Sequence, residues 1–196
     1  PIVYKEKIVY LCKLKQRKWD LSKKSRNRKA LNFMTEAHDG QFRKFSGKEY
    51  AWHPAEVSKI VRSLKNSKNK EDLCIAALLH DTVEDCDVTL EDISREFGVE
   101  VASLVSQLTS DDKEIQKLGK ANYLLNKMLN ISSYALVIKL ADRLHNCSDL
   151  ENGSEKFRKK YVKETRFIIN GLEQRKLSST HRNLINLINE EIIKFE

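Results

Sequence analysis

Residues 77–87, "ALLHDTVEDCD", run from an apolar stretch directly into His80, Asp81, Glu84, Asp85 and Asp87. A histidine and an aspartate at the end of a buried segment are costly unless each is satisfied, because an unpaired charge in a low-dielectric interior neutralises or demands a partner. A divalent cation satisfies both at once. Groups of the same kind recur elsewhere: Asp142 within "KLADRLHN" and His53 at the end of "YAWH", before Pro54. Two imidazoles and two carboxylates make a mixed nitrogen and oxygen set, which suits Mn²⁺, Fe²⁺ or Zn²⁺ better than the all-oxygen preference of Ca²⁺. Ligand types alone leave the choice among those three open. Such a cation polarises a phosphoryl oxygen and lowers the pKa of a bound water, which provides a nucleophile for phosphate-ester hydrolysis near neutrality. Glu84 and Asp85 stand just beyond the apolar stretch, where a carboxylate can hold or deprotonate that water.

Helices are the elements available to position these groups. Val57, Ile60, Val61 and Leu64 follow the i, i+3, i+4, i+7 spacing behind Pro54, a residue suited to a first helical turn. In "EDLCIAALLH", Leu73, Ala76, Ala77 and His80 share one face, so His80 is expected against the core. Thr89 as N-cap, Asp92 in a near-capping-box position and Gly98 as a stop predict a short helix. Val101, Leu104, Val105 and Leu108 stripe the next one, and "SDDKEIQKLGK" is polar enough to be expected as a connecting loop. Within "SSYALVIKLADRLHNCSDL", Val137, Leu140, Ala141 and Leu144 face the core. A second line, Ile138, Asp142, His145 or Asn146, and Asp149, runs beside it. Two more helices are expected around residues 155–176 and 180–195. Tyr50 and Trp52 are read as packing residues.

The bulk numbers fit one domain. A chain of 196 residues with 40% hydrophobic content buries one sizeable core, and two prolines and six glycines favour helices over turn-rich β structure. The fold class is all-α, in a single compact domain. Cys12, Cys74, Cys86 and Cys147 stand far apart with no CxxC pair, as expected of reduced thiols. No apolar run approaches the roughly 20 residues that span a bilayer, and the N-terminus lacks a signal-peptide stretch, so a cytoplasmic protein with no membrane partner is expected. Thirty-six basic against 28 acidic side chains give a net charge of +8, much of it in "KLKQRKWDLSKKSRNRK". That charge suits nucleic acid, a small polyanion or an ordinary solvated face.

Taken together, "HDTVED", "AHDGQFRK" and "HP" upstream, and "KLADRLHN" downstream resemble the HD-type hydrolase domain of the RelA/SpoT alarmone enzymes, especially the stand-alone small alarmone hydrolases. The resemblance runs from about Leu31 to Gly171, and four blocks in the right order are far more specific than one His-Asp pair. It implies an HD-domain helical bundle that removes the 3′-pyrophosphate of guanosine tetra- and pentaphosphate with one Mn²⁺. The implied metal ligands are His53, His80, Asp81 and Asp142, and Glu84 and Asp85 match the pair that positions and activates water. Arg43 matches the arginine that stacks on the purine, Lys44 and Ser46 fall in the same nucleotide-binding loop, and Asn146 matches the asparagine near the ribose and phosphates. A guanidinium plane suits stacking on a base, and a neighbouring ammonium suits phosphate charge.

The family commonly reads "RKSGEPY" where this chain reads "RKFSGKEY", with Phe45 added and the proline absent. The expected organisation is a basic helical extension at 1–28, the hydrolase domain at 29–176, and a C-terminal helix at 177–196 packed on it. No synthetase or regulatory segment follows the matched region, so degradation of the alarmone without synthesis is expected. NADPH, whose 2′-phosphate is also a phosphate monoester on a ribose, and (p)ppApp are the alternative substrates. A basic helical module that binds nucleic acid would leave the histidine and carboxylate set without a purpose.

Overall fold

The computed structural model describes residues 26–65 and 67–195. Eleven α-helices make up the regular structure of these residues, joined in places by 3-10 turns; the sole β feature among them is an isolated antiparallel bridge between Phe42 and Glu49. In chain order the helices are α1 (Arg26–Ala37), α2 (Trp52–Leu64), α3 (Lys70–Leu79), α4 (Thr82–Asp85), α5 (Leu90–Phe97), α6 (Val99–Leu108), α7 (Asp112–Leu118), α8 (Lys120–Asn130), α9 (Ser133–Ser148), α10 (Glu155–Gly171) and α11 (Ser179–Ile192). The all-α expectation holds. The basic stretch expected as a helical extension lies, up to Ser25, outside the described residues.

Two helices organise the rest. Every residue of α3 from Leu73 to Leu79 is buried, which places this helix in the middle of the bundle rather than on a face. It packs against α1, α2, α6 and α9. Helix α9 buries Leu136, Val137, Ile138, Leu140, Ala141 and Leu144 and touches α2, α3, α6 and α11. Ser132 starts α9 by accepting from the Ala135 backbone amide. Arg143, itself buried, ties α9 to α10 by donating to Glu164 at 2.9 Å while its guanidinium lies over the Tyr161 ring. His181 of α11 contacts the Ser133 carbonyl at 2.9 Å.

Thr89 and Asp92 form the reciprocal capping box of α5, and Gly98 ends it at φ 97°. Pro54 sits in the first turn of α2. The stretch expected as a loop, "SDDKEIQKLGK", instead contains α7. Asp111 caps it by accepting from the Lys113 and Glu114 amides, and Ile115 and Leu118 pack on the core. Its polar composition masked a helix that a cap and two apolar residues suffice to anchor. The helix expected over 155–176 ends at Gly171 and gives way to a 3-10 turn, Leu172–Gln174; the last helix ends at Ile192 before a second such turn. No helix among the described residues is long and apolar enough to cross a membrane.

Leu140 is fully buried where α9 meets the bundle. Leu140→Ala is expected to lower stability by about 2–5 kcal/mol, from lost burial and the cavity left behind. Equilibrium urea denaturation checks this; a loss under about 1 kcal/mol would show that α9 does not organise the core.

Candidate active site

Three different helices deliver polar atoms to one point. His53 comes from the first turn of α2, His80 follows the last residue of α3, and Asp142 projects from the middle of α9. Each offers one ligand atom, and these atoms lie within 4.8 Å of one another. Both histidines are 1% exposed. His53 Nε2 is 3.3 Å from Asp142 Oδ1 and 3.6 Å from Asp81 Oδ2, while His80 Nε2 is 3.2 Å from Asp81 Oδ1. The four residues expected as ligands are thus brought together, with Asp81 flanking the other three.

The hydrogen bonds suit a metal. The Ala77 carbonyl lies 2.9 Å from His80 Nδ1 and can only accept, so Nδ1 carries a proton and Nε2 turns toward the carboxylates. That Nε2 is buried and makes no hydrogen bond. A buried polar atom left without a partner beside two carboxylates is what a cation's coordination sphere looks like when only its protein side is counted. Burial pushes His80 toward neutrality, but the charges of Asp81 and Asp142 outweigh it and raise its pKa to about 9. Burial lowers His53 and prevails over the same carboxylates. Against burial, the Lys139 ammonium and the two histidines hold Asp142 well below the usual carboxylate range. Lys139 Nζ stands 3.3 Å from Asp142 Oδ2.

Glu84 and Asp85 occupy α4, one helical turn that follows directly on the His-Asp pair. Glu84 Oε1 accepts from the Ser110 backbone amide, which anchors the side chain across the α6–α7 connection. Tyr50 Oη lies 2.7 Å from Asp81 Oδ2 and 3.1 Å from Asp85 Oδ2, and its single proton serves one of them at a time. Burial and the Asp81 charge raise the Tyr50 phenol far above its ordinary value, so it stays a donor. Burial, with the Asp81 charge, also raises the Asp85 carboxyl.

Next to this cluster is a cavity of about 270 Å³ lined by Arg43, Lys44, Phe45, Tyr50, Asn146, Asp149 and Phe157, among others. The loop before α2 builds one wall: Arg43 N donates to Lys48 O, and Gly47 turns the chain at φ 65°. Arg43 Nη2 donates to Asn146 Oδ1 at 2.8 Å and lies 3.3 Å from Asp149 Oδ2. Asn146 in turn donates to Asp142 Oδ1 at 2.6 Å. A continuous chain of polar contacts therefore joins the cavity wall to the metal-type cluster. Lys44 lines the cavity, whereas Ser46 lies in the same turn without lining it. The added Phe45 packs on Phe157, ring centroids 4.5 Å apart, and closes one side.

Sequence reasoning missed four participants. Tyr50, read as packing, binds two acidic residues. Lys139 replaces Ile138 on the polar stripe of α9; Ile138 is fully buried in the core, and the i, i+3 step from Lys139 to Asp142 was the available signal. His145, left undecided against Asn146, touches His53. Phe157 lies far along the chain, on a helix whose sequence carries no sign of the cavity.

The HD domain family profile matches residues 30–176. Guanosine-3′,5′-bis(diphosphate) 3′-pyrophosphohydrolase MESH1 of Xenopus tropicalis is 36% identical over 149 residues, covering 73% of this chain and 82% of that protein. The Homo sapiens protein of the same name is 36% identical over 152 residues, 74% of this chain and 83% of that one. A solved metazoan ortholog of SpoT, described as hydrolysing ppGpp, superposes with a TM-score of 0.75 at 29% identity, over 88% of this chain and 97% of that chain. The chain belongs to the HD domain family, within the RelA/SpoT-type group that contains these pyrophosphohydrolases.

A metal must displace the proton that the carboxylates hold on His80. Affinity for Mn²⁺ is therefore expected to rise with pH from about 6.5 to about 8.5, by up to about tenfold per unit. His80→Ala and Asp142→Ala should each abolish stoichiometric uptake. Calorimetry across pH and elemental analysis of the variants check this; a flat affinity or full metal content would contradict the cluster's role.

Proposed function

We propose that the protein hydrolyses the 3′-pyrophosphate of (p)ppGpp to GDP or GTP and pyrophosphate, with one divalent metal, Mn²⁺ before Zn²⁺ or Fe²⁺, held by His53, His80, Asp81 and Asp142. The observation that carries this reading is the convergence of His53, His80 and Asp142 beside a cavity whose Arg43 and Asn146 are bonded in series to Asp142. The names of the relatives and the description of the solved ortholog support the choice of substrate.

When bound, the metal supplies Lewis acidity to the phosphoryl group and lowers the pKa of water. The remaining work falls to the chain. Glu84, anchored through one carboxylate oxygen by Ser110 N, has its other oxygen free to orient water. Asp85, whose carboxyl is raised toward neutrality, takes the water proton, and Tyr50 holds it in place. The water oxygen forms a bond to the phosphorus attached to the ribose 3′-oxygen, that ester bond breaks, and the proton taken up by Asp85 returns, directly or through water, to the departing 3′-oxygen. Arg43, pinned at its edge by Asn146 and Asp149 and lying over the Tyr50 ring, offers the face of its guanidinium turned away from Tyr50 to a purine, and Lys44 offers charge to the phosphates.

Assays with (p)ppGpp, (p)ppApp and NADPH, each with Mn²⁺, Zn²⁺ or Fe²⁺ and products resolved by chromatography, test the reading. Fastest turnover of (p)ppGpp with pyrophosphate released supports it; preference for (p)ppApp or NADPH would overturn the substrate, and intact nucleotide throughout would overturn the activity. Glu84→Gln combined with Asp85→Asn should retain metal while kcat falls on the order of 10²- to 10⁴-fold, as amides keep shape but not basicity. Near-normal turnover would assign the base elsewhere.

Arg43→Ala should raise KM by roughly 2- to 30-fold with metal affinity unchanged, in keeping with a stacking contact of about 0.5–2 kcal/mol. Arg43→Lys should recover little, since an ammonium lacks the plane. Full recovery with lysine would make Arg43 a phosphate counter-charge.

A further inference from the structure

His80 has its Nδ1 proton fixed by a backbone carbonyl. For His53 the corresponding partner is another imidazole: its Nδ1 lies 2.7 Å from Nδ1 of His145. Both rings are buried, at 1% and 4% exposure. A contact that short between two ring nitrogens holds one proton, so two arrangements exist. In one, His145 donates from Nδ1; His53 then carries its proton on Nε2, where Asp142 Oδ1 at 3.3 Å accepts it, and no electron pair is left for a metal. In the other, His53 donates from Nδ1 and its Nε2 electron pair faces the point shared with His80 and Asp142.

We propose that His145 is the positioning residue for His53: its Nδ1 accepts from His53 Nδ1–H, and its own proton resides on Nε2, which locks His53 in the form that can coordinate a cation. The inference rests on the reading of His53 as a metal ligand. His145 is held for this task by its neighbours, its ring packed at a steep angle on Trp52 with centroids 4.7 Å apart, and the Lys48 ammonium lies over that Trp52 ring at 3.8 Å from its centroid. A second observation agrees. His145 Nε2 is buried without a hydrogen-bond partner, so the imidazole is kept at this position at a desolvation cost, and its one ring hydrogen bond is the contact with His53. What the imidazole adds is an acceptor at His53 Nδ1. Both arrangements carry two protons on the pair, so its net charge is the same in each; one proton crosses between the Nδ1 atoms, and the other leaves His53 Nε2 while His145 Nε2 gains one from outside the pair.

The test uses the 196-residue chain labelled with ¹⁵N and titrated with Zn²⁺, which is diamagnetic. Long-range ¹H–¹⁵N correlation spectra of the imidazoles should place the His53 proton on Nδ1 and the His145 proton on Nε2 in the loaded protein. Zn²⁺ affinity, measured by competition with a chelator, should fall about 10- to 100-fold in His145→Leu and largely recover in His145→Gln, whose side-chain carbonyl restores an acceptor. Should the leucine variant fail to fold, the wild-type spectra and the glutamine variant still decide. A proton on His145 Nδ1 in the loaded protein, or wild-type affinity in His145→Leu, would overturn the inference and leave the metal reading intact. Absence of any Zn²⁺ or Mn²⁺ binding by the wild-type chain would overturn both.

Discussion

Everything around the site depends on one electrostatic constraint: two imidazoles and two carboxylates share a small buried volume and must be mutually compensated. Each helix that reaches this volume contributes one element of the solution. Helix α3 ends in it with His80–Asp81, α2 begins in it with His53, and α9 passes it with Asp142 and Lys139. The apolar length of α3 is what makes the location buried, and burial is what makes the charges interact strongly. Burial disfavours the charged form of both histidines; it prevails at His53, whereas at His80 the charges of Asp81 and Asp142 outweigh it. Two chemically identical side chains are thus given different protonation tendencies by position alone.

The cavity wall continues the same network of polar contacts. Asn146 sits one turn beyond Asp142 on α9, donates back to it, and accepts from Arg43, which also reaches Asp149 just past the end of the helix. A single helix face therefore carries the proposed metal ligand at its middle and the proposed nucleotide contacts at its end. Tyr50 lines the cavity from the loop before α2 and donates its one proton to Asp81 or to Asp85. The loop before α2 is thus linked to the acids by hydrogen bonds.

The sequence disclosed those features in which residue type and local spacing coincide. His80 could be placed against the core because Leu73, Ala76 and Ala77 share its face, and the α5 cap was visible in Thr89, Asp92 and Gly98. His53 and Asp142 stood in recognisable blocks. Features made by tertiary contact were not legible. The pairing of Phe45 with Phe157 joins positions more than a hundred residues apart, and nothing local marks Tyr50 as a donor to Asp81 rather than a packing ring. The α7 helix was hidden for another reason: its surface is almost wholly polar, and only the Asp111 cap and two half-buried apolar residues declare it.

The central claim is that side chains from α2, α3 and α9 form one metal centre. Anomalous diffraction from crystals grown with Mn²⁺ tests it most directly. The account predicts a single strong peak bounded by His53 Nε2, His80 Nε2 and a carboxylate oxygen of Asp142, with Asp81 beside it. A peak held by other residues, with these side chains bonded only to one another, would contradict it.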